Sequence, residues 1–239
     1  NALLASPKLA SWLRGAPLDV TSWMKPKEGK TPAVIVSVAH LDDEARQQVL
    51  GLLLEEVLAY VRGQAGTSEL RALVVFDEVF GFLPPHPASP PTKKPLLALL
   101  KQARAFGVGI VVATQNPMDV DYKALSNAGL WFVGRLSTDA DRQRVVEGLV
   151  GADGGAGLDA GELGNIVKAL PKRSFFVRNV HKSPSVCLVE TRFCMSYLRG
   201  PMTRRELARL AKELAPIERA APAAAASGAQ PAGVEAAPA

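Results

Sequence analysis

Two acidic residues, Asp77 and Glu78, directly follow the apolar run Leu73–Phe76. A short continuous apolar run of this kind is typical of a strand buried on both faces. Open α/β sheets bind ligands at the carboxyl ends of their strands. At such a place an Asp can hold Mg²⁺ and an adjacent Glu can polarise an attacking water in phosphoryl transfer. On these residues alone, a helix cap or a solvated strand end stays open as the alternative.

The next predicted strand, Val108–Thr114, is followed by the polar residue Gln115. If the two strands are neighbours, the Gln115 amide lies beside Asp77 and Glu78, where it can contact a γ-phosphate or orient water. The simpler alternative is a polar residue that begins the turn at Asn116–Pro117. Acids after one strand and a Gln after the next, with a basic helix between them, favour the functional interpretation.

Two arginines are candidates for contacts to phosphate. Arg104 lies near the end of a predicted helix that also carries Lys101, and it could act across a subunit boundary as an arginine finger. Arg135 directly follows the strand Leu130–Gly134. For Arg104 the alternative is a surface residue in the last helical turn, which the helix dipole favours.

Apolar strands that alternate with helices predict the architecture. The pattern indicates an α/β fold with a mainly parallel sheet and helices on both faces. An antiparallel hairpin is predicted at one edge of that sheet. The predicted strands are Ala33–Ala39, Ala72–Phe76, Val108–Thr114 and Leu130–Gly134, with Ser174–Val180 and Val186–Thr191 forming the hairpin. The predicted helices are Asp42–Arg62, Pro95–Phe106, a short piece with Leu125 near its end, Thr138–Leu149, a short one near Leu170, and Arg204–Leu214.

The chain divides, by composition, into four segments. A connecting segment, 1–32, precedes a core at 33–200, and a helical segment follows at 201–219. Residues 220–239 are nearly all Ala, Pro, Gly and Ser, a composition that predicts a disordered tail.

Composition excludes several classes of protein. The apolar runs are far shorter than the roughly 20 residues that span a bilayer, so no membrane association is expected. With only 2 cysteines in 239 residues, a disulfide framework and a four-cysteine zinc site are ruled out, which suits a reducing cytoplasm. The net charge of +5 permits nucleic acid or acidic lipid as a partner without arguing strongly for either.

Two local patterns imitate binding motifs. Gly29-Lys30-Thr31 looks like the end of a P-loop, but Met24 stands where its first Gly should be and a strand, not a helix, is expected next. Lys93-Lys94 could touch a phosphate backbone, although an exposed lysine pair is usually only solvated.

Four segments in order resemble the ATPase core of the HerA/FtsK superfamily, whose members are RecA-like P-loop motors that generally form hexameric rings and move double-stranded DNA. The segments are Leu73–Glu78, Leu100–Gly107, Ala113–Pro117 and Trp131–Arg135, and the resemblance extends over about 33–201. The resemblance implies a RecA-like fold of the P-loop NTPase type, with ATP and Mg²⁺ as cofactors. It also implies Asp77 as the Walker B magnesium residue, Glu78 as catalytic base, Gln115 as sensor and Arg104 as arginine finger, with Arg135 as a second candidate.

The chain departs from this family in one respect. The printed sequence contains no G-x-x-x-x-G-K-[ST], which lies upstream of these motifs in the family, so we expect these residues to bind ATP poorly. The chain is then either the C-terminal part of a longer motor, which its start at Asn1 favours, or a divergent protein without activity.

Three functions therefore stay open. The first is a ring-shaped ATPase that translocates or remodels double-stranded DNA. The second is a non-catalytic RecA-like module for oligomerisation or partner docking. The third is a secretion or conjugation ATPase. A nuclease or other effector is a further partner that the sequence does not name.

Overall fold

A computed structural model describes residues 17–26, 28–151, 159–195, 197 and 199–213. Within these residues the chain forms two compact units, one spanning Leu18–Tyr197 and the other containing residues 199–213. The predicted tail at 220–239 lies outside the described residues.

The larger unit is a mixed α/β structure with two separate sheets. Its described strands are β1 (Thr67–Phe76), β2 (Phe106–Val112), β3 (Leu130–Val133), β4 (Ser174–Asn179) and β5 (Val186–Glu190). Its described helices are α1 (Val20–Trp23), α2 (Asp43–Arg62), α3 (Lys93–Gln102), α4 (Tyr122–Asn127), α5 (Asp139–Gly151) and α6 (Ala160–Ala169), with 3-10 turns at Ala103–Ala105 and Pro117–Asp119. The helix α7 (Arg204–Glu213) belongs to the second unit.

Strands β1 and β2 pair in parallel, with Val74 opposite Ile110 and Phe76 opposite Val112. One face of this pair packs on α2 and α3 in a core of buried apolar residues that includes Leu54, Val61, Leu96, Leu99 and Val108. On the other face Leu73, Val75 and Val111 are exposed. The prediction of helices on both faces is therefore wrong for the described residues, because the helices that pack on this pair lie on one side only.

The prediction of a strand at Ala33–Ala39 is also wrong. Residues 33–38 are outside any strand or helix, and Ile35 is 92% exposed. A β-branched apolar run is a stable strand only when a neighbour supplies hydrogen bonds and a packed surface. No strand in the described part of the chain pairs with this segment, so its sequence preference alone does not make it a strand.

Strands β3, β4 and β5 form an antiparallel sheet in that order, with Trp131 opposite Arg178 and Phe176 opposite Leu188. The predicted hairpin is confirmed as β4 and β5. Its predicted place at the edge of a mainly parallel sheet is wrong, because β4 pairs with β3 in a sheet separate from β1 and β2. Helices α5 and α6 contact each other, and the buried core around this sheet includes Trp131, Leu149, Leu163, Val167 and Phe176.

Helix α2 begins and ends as its sequence predicts. The carboxylate of Asp42 accepts a hydrogen bond from Ala45 N at 3.0 Å, which caps the helix, and Gly63 follows its last residue. Helix α3 differs from prediction: it begins at Lys93 and ends at Gln102, and the 3-10 turn Ala103–Ala105 leads directly into β2. None of the described helices is long and apolar enough to cross a membrane.

In the second unit, Thr203 and Glu206 form a capping box before the first full turn of α7. Glu206 accepts hydrogen bonds from Thr203 N at 2.7 Å and from the Thr203 hydroxyl at 2.9 Å. These bonds, together with the nearby Arg199 guanidinium, lower the pKa of the Glu206 carboxyl.

Candidate active site

The carboxyl ends of β1 and β2 lie side by side because the two strands are parallel neighbours. The ladder continues beyond the strands: Ala113 N donates to Phe76 O at 3.0 Å, and Val79 N donates to Ala113 O at 2.9 Å. These bonds bring the residues after β1, Asp77 and Glu78, to the same edge as Gln115. The condition on which the sequence interpretation depended, that the two strands are neighbours, is therefore met.

Glu78 and Gln115 are in direct contact. Gln115 Nε2 donates a hydrogen bond to Glu78 Oε2 at 2.9 Å, and both side chains are exposed. A carboxylate is only an acceptor, so the amide must face it with its nitrogen. The second carboxylate oxygen keeps its capacity to accept a proton or a hydrogen bond from water.

Glu78 has an unusual backbone conformation. Its φ is +55°, in the left-handed region that residues other than Gly seldom adopt and that costs about 1–3 kcal/mol. The next residue, Val79, is 1% exposed, and its N–H is held by Ala113 O. The packed Val79 thus anchors the chain immediately after the strained residue, which fixes where the Glu78 side chain leaves the backbone.

Asp77 is exposed beside this pair. Mg²⁺ is usually bound by one or two carboxylates together with phosphate oxygens and water. In the part of the chain that the structure describes, no group of three or more His, Cys, Asp or Glu residues could hold a metal ion. The donor set at Asp77 therefore fits Mg²⁺ that is shared with a phosphate, and it does not fit a metal held by protein ligands alone.

Arg104 lies at the opposite end of β2 from Gln115. It is exposed in the 3-10 turn that precedes β2, and a strand of 7 residues separates that turn from the Gln115 edge, a rise of roughly 23 Å at 3.3 Å per residue. The fold therefore does not bring Arg104 to the Glu78 and Gln115 of its own chain.

Arg135 follows β3, in the antiparallel sheet, and is exposed. It makes no hydrogen bond or ion pair with Asp77, Glu78 or Gln115, all of which are among the described residues. Of the five residues singled out from the sequence, the fold brings together Asp77, Glu78 and Gln115, and neither arginine is bonded to them.

Lys93 and Asp121 were missed as a pair by the sequence interpretation. Lys93 Nζ lies 2.8 Å from Asp121 Oδ2, and each side chain is only 10% exposed. The expectation that Lys93 is a solvated surface lysine is therefore wrong, whereas Lys94 is exposed as expected. The local signal that could have pointed to Asp121 is its position before α4, where its carboxylate accepts Lys123 N at 2.8 Å as an N-cap.

The sequence Gly29-Lys30-Thr31 is not a phosphate-binding loop. Gly29 has a φ of +73°, but residues 31–38 after it form no helix. A P-loop depends on a helix N-terminus whose N–H groups face the phosphates, and this segment does not supply one.

No protein-family model matches the chain, and no curated protein matches it either. Solved structures similar to it include the genome packaging NTPase B204 from Sulfolobus turreted icosahedral virus 2. In complex with AMP, that protein is 16% identical with a TM-score of 0.45, and the match covers 69% of each chain. Its sulfate complex is 14% identical with a TM-score of 0.47, covering 78% of this chain and 86% of that one.

A third similar structure is described as B204, the DNA-packaging ATPase from Sulfolobus Turreted Icosahedral Virus. It is 15% identical with a TM-score of 0.47, and the match covers 81% of this chain and 80% of that chain. At such TM-scores the likeness does not establish a common fold. The mixed α/β architecture of this chain, with its parallel pair and its three-stranded antiparallel sheet, rests on its own strands and helices.

Proposed function

We propose that this chain belongs to an ATPase of HerA/FtsK type, which acts on double-stranded DNA as a ring oligomer. Its hydrolytic edge is formed by Asp77, Glu78 and Gln115, at the carboxyl ends of β1 and β2. The observation that carries the proposal is the 2.9 Å hydrogen bond from Gln115 Nε2 to Glu78 Oε2, at the carboxyl ends of two parallel strands. A carboxylate and an amide held together at this edge are suited to accept a proton from a water molecule and to orient it.

Each residue of this edge has a distinct part in the proposal. Glu78 accepts the proton of the attacking water, and Gln115 orients that water or senses the γ-phosphate. Asp77 is the residue that would hold Mg²⁺. When bound, the ion offsets the negative charge of the phosphate groups. The strained backbone at Glu78 supports this assignment, since such conformations cluster at functional sites.

The position of Arg104 supports action between subunits. Because it lies a strand length away from Gln115 on the same chain, it cannot neutralise charge at its own Glu78 edge without a large rearrangement. An exposed Arg at this place is suited to reach the hydrolytic edge of a neighbouring chain, as an arginine finger does. In the proposal Arg104 has that role in a ring, and Arg135 is a second candidate for contact with phosphate or with a neighbouring subunit.

The test is ATP hydrolysis by the natural full-length protein, with and without duplex DNA. Glu78→Gln should lower kcat at least about 100-fold, the usual contribution of a general base, while nucleotide binding persists. Glu69→Gln is the matched control, since Glu69 is an exposed residue of the same strand near its other end. Near wild-type turnover in Glu78→Gln would refute the assignment of the base.

Two results would select a different function. If the full-length wild-type protein neither binds nor hydrolyses ATP, the non-catalytic module for oligomerisation or docking replaces the motor. If it hydrolyses ATP but single-stranded DNA or unfolded protein stimulates it more than duplex DNA at matched salt, a secretion or conjugation ATPase is the better description.

A further inference from the structure

Two loops leave the candidate site, one from each strand. Residues 79–92 follow Glu78 and are called here the Glu78 loop, and residues 116–121 follow Gln115 and are called the Gln115 loop. The side-chain hydrogen bond between Glu78 and Gln115 therefore joins residues that stand at the beginning of two separate loops. The ladder bonds of Ala113 bring the two residues to one edge, and contacts that hold the two loops together can support the side-chain bond further.

Asp121, at the end of the Gln115 loop, contacts the Glu78 loop through its backbone. Its N–H donates to Leu83 O at 2.8 Å, and Leu83 is fully buried. The preceding residue, Val120, is 2% exposed. The end of the Gln115 loop is thus packed and hydrogen-bonded against the middle of the Glu78 loop.

The same residue binds Lys93 through its side chain. Lys93 is the first residue of α3, directly after the Glu78 loop, and its Nζ lies 2.8 Å from Asp121 Oδ2 and 3.0 Å from Ala88 O. Lys93 thereby connects the Gln115 loop to the beginning of α3 and to the interior of the Glu78 loop. The neighbouring Thr92 hydroxyl donates to Phe82 O at 2.7 Å, which closes the Glu78 loop on itself.

The two charges compensate each other at an otherwise unfavourable place. A lysine at a helix N-terminus faces the positive end of the helix dipole, so Lys93 needs a counterion. Asp121 supplies it while its other oxygen caps α4. Burial by itself raises the pKa of the Asp121 carboxyl, but the Lys93 ammonium and the Lys123 N–H outweigh burial and lower that pKa overall, so Asp121 is ionised at neutral pH.

We propose that Lys93 and Asp121 are a positioning pair, which holds the Gln115 loop against the Glu78 loop and so keeps the Gln115 amide on the Glu78 carboxylate. The side chains of the pair contact each other, Ala88 O and Lys123 N, and none of these is a reacting group. Its consequence for hydrolysis rests on the function proposed above, whereas its effect on the contact between Gln115 and Glu78 does not.

The experiment follows that contact directly, by NMR of the full-length protein labelled with ¹⁵N-glutamine. Gln115→Ala assigns the side-chain amide signal of Gln115, and Glu78→Gln shows where the signal moves when its carboxylate partner is lost. In Asp121→Asn, which keeps a capping oxygen, and in Lys93→Met, which keeps the aliphatic stem, the signal should move toward its position in Glu78→Gln. Lys94→Met, which alters the exposed neighbour, should leave the signal unchanged.

A double variant guards against a failure to fold. A single substitution leaves one buried charge unpaired, whereas Lys93→Met with Asp121→Asn removes both charges together. The double variant should also displace the Gln115 signal. If the Gln115 signal stays at its wild-type position in the folded single variants, the positioning pair is refuted. If a single variant does not fold, an unchanged Gln115 signal in the double variant refutes the pair instead.

Kinetics then separate this inference from the proposed function. For the wild type we expect ATP hydrolysis. For Asp121→Asn we expect a kcat reduced about tenfold or more, with the KM for ATP within about twofold, because the pairing of Gln115 with the base changes while binding does not. Lys93→Met should lower kcat in the same way, and Lys93→Arg, which keeps the charge, should lose less kcat than Lys93→Met. A displaced Gln115 signal in a protein without ATPase activity would refute the proposed function and leave the positioning pair standing. A normal kcat in variants whose signal is displaced would refute the catalytic consequence of the pair.

Discussion

The side-chain amide of Gln115 donates to the carboxylate of Glu78 across 2.9 Å, although the two residues stand 37 positions apart in the chain. The contact exists because β1 and β2 are parallel neighbours, so that the residues following each strand meet at one edge. It unites an acid and an amide that sequence reasoning could only assign separately.

The first prediction concerns the coupling between these two residues. Gln115→Ala should lower kcat of the full-length protein, and combining it with Glu78→Gln should add little further loss, because residues that act as a unit are not additive. The measurement is a double-mutant cycle on kcat. Multiplicative losses in the double variant would indicate that Gln115 acts independently of Glu78.

The second prediction concerns Arg104. Arg104→Ala subunits mixed with wild-type subunits should reduce turnover at the neighbouring wild-type sites, since an arginine finger contributes a factor of roughly 10³ or more in kcat. Subunit-mixing kinetics provide the measurement, and Lys101→Ala is a matched control from the exposed end of α3. Rings that mix Arg104→Ala with Glu78→Gln chains distinguish the two cases, because a site with its own Glu78 can there meet a neighbour's Arg104 and should regain activity. If these mixed rings stay as inactive as each variant alone, Arg104 does not act on a neighbour.

The third prediction is a pH dependence of stability that comes from Asp121. The pKa of this carboxyl is lowered from 3.8 by its surroundings, so the folded state favours the ionised form more than the unfolded state does. The resulting stabilisation is fully present above the unfolded pKa and is lost as pH falls below 3.8 through the lower folded pKa.

Urea unfolding across this acidic range measures the effect. The free energy of unfolding of Asp121→Asn should fall less steeply below the unfolded pKa than that of the wild type, because this variant has no carboxyl at position 121. Glu55→Gln, an exposed residue of α2, is the control and should keep the wild-type slope. Equal slopes for wild type and Asp121→Asn would contradict the prediction.

The fourth prediction concerns Gly107, which follows the Arg104 turn and has a φ of +72°. A Cβ at this position would lie 2.4 Å from Glu69 O, too close for any real contact. Gly107→Ala should therefore destabilise the fold by at least about 1–3 kcal/mol from the backbone strain alone, with the clash adding to it.

The matched control for Gly107→Ala is Gly164→Ala in α6. A Cβ at Gly164 would meet nothing within 4 Å, so the substitution should be neutral or stabilise the helix by up to about 1 kcal/mol. Thermal or urea unfolding of both variants measures the difference. A Gly107→Ala variant as stable as wild type would show that the backbone at this position differs from the structure described here.

Much of the local structure can be predicted from the sequence because it depends on neighbours along the chain. The spacing of apolar residues and the cap at Asp42 define α2, and the hairpin of β4 and β5 follows from two apolar runs joined by a short polar turn. Asp77 and Glu78 could be placed at a strand end from the run Leu73–Phe76 alone. These features involve contacts within one element or between consecutive ones.

Other features depend on which distant segment a residue meets, and no local pattern encodes that. Ala33–Ala39 has strand residues but finds no partner strand among the described residues, and β3 pairs antiparallel with β4 although its apolar run suited a parallel sheet. Lys93 looked like a surface lysine until the fold brought Asp121 against it. The sequence by itself thus determined helix α2, the hairpin and the acids after β1. The tertiary structure alone decided strand pairing, the contact of Gln115 with Glu78, and the separation of Arg104 from both, because each of these depends on how distant elements are placed.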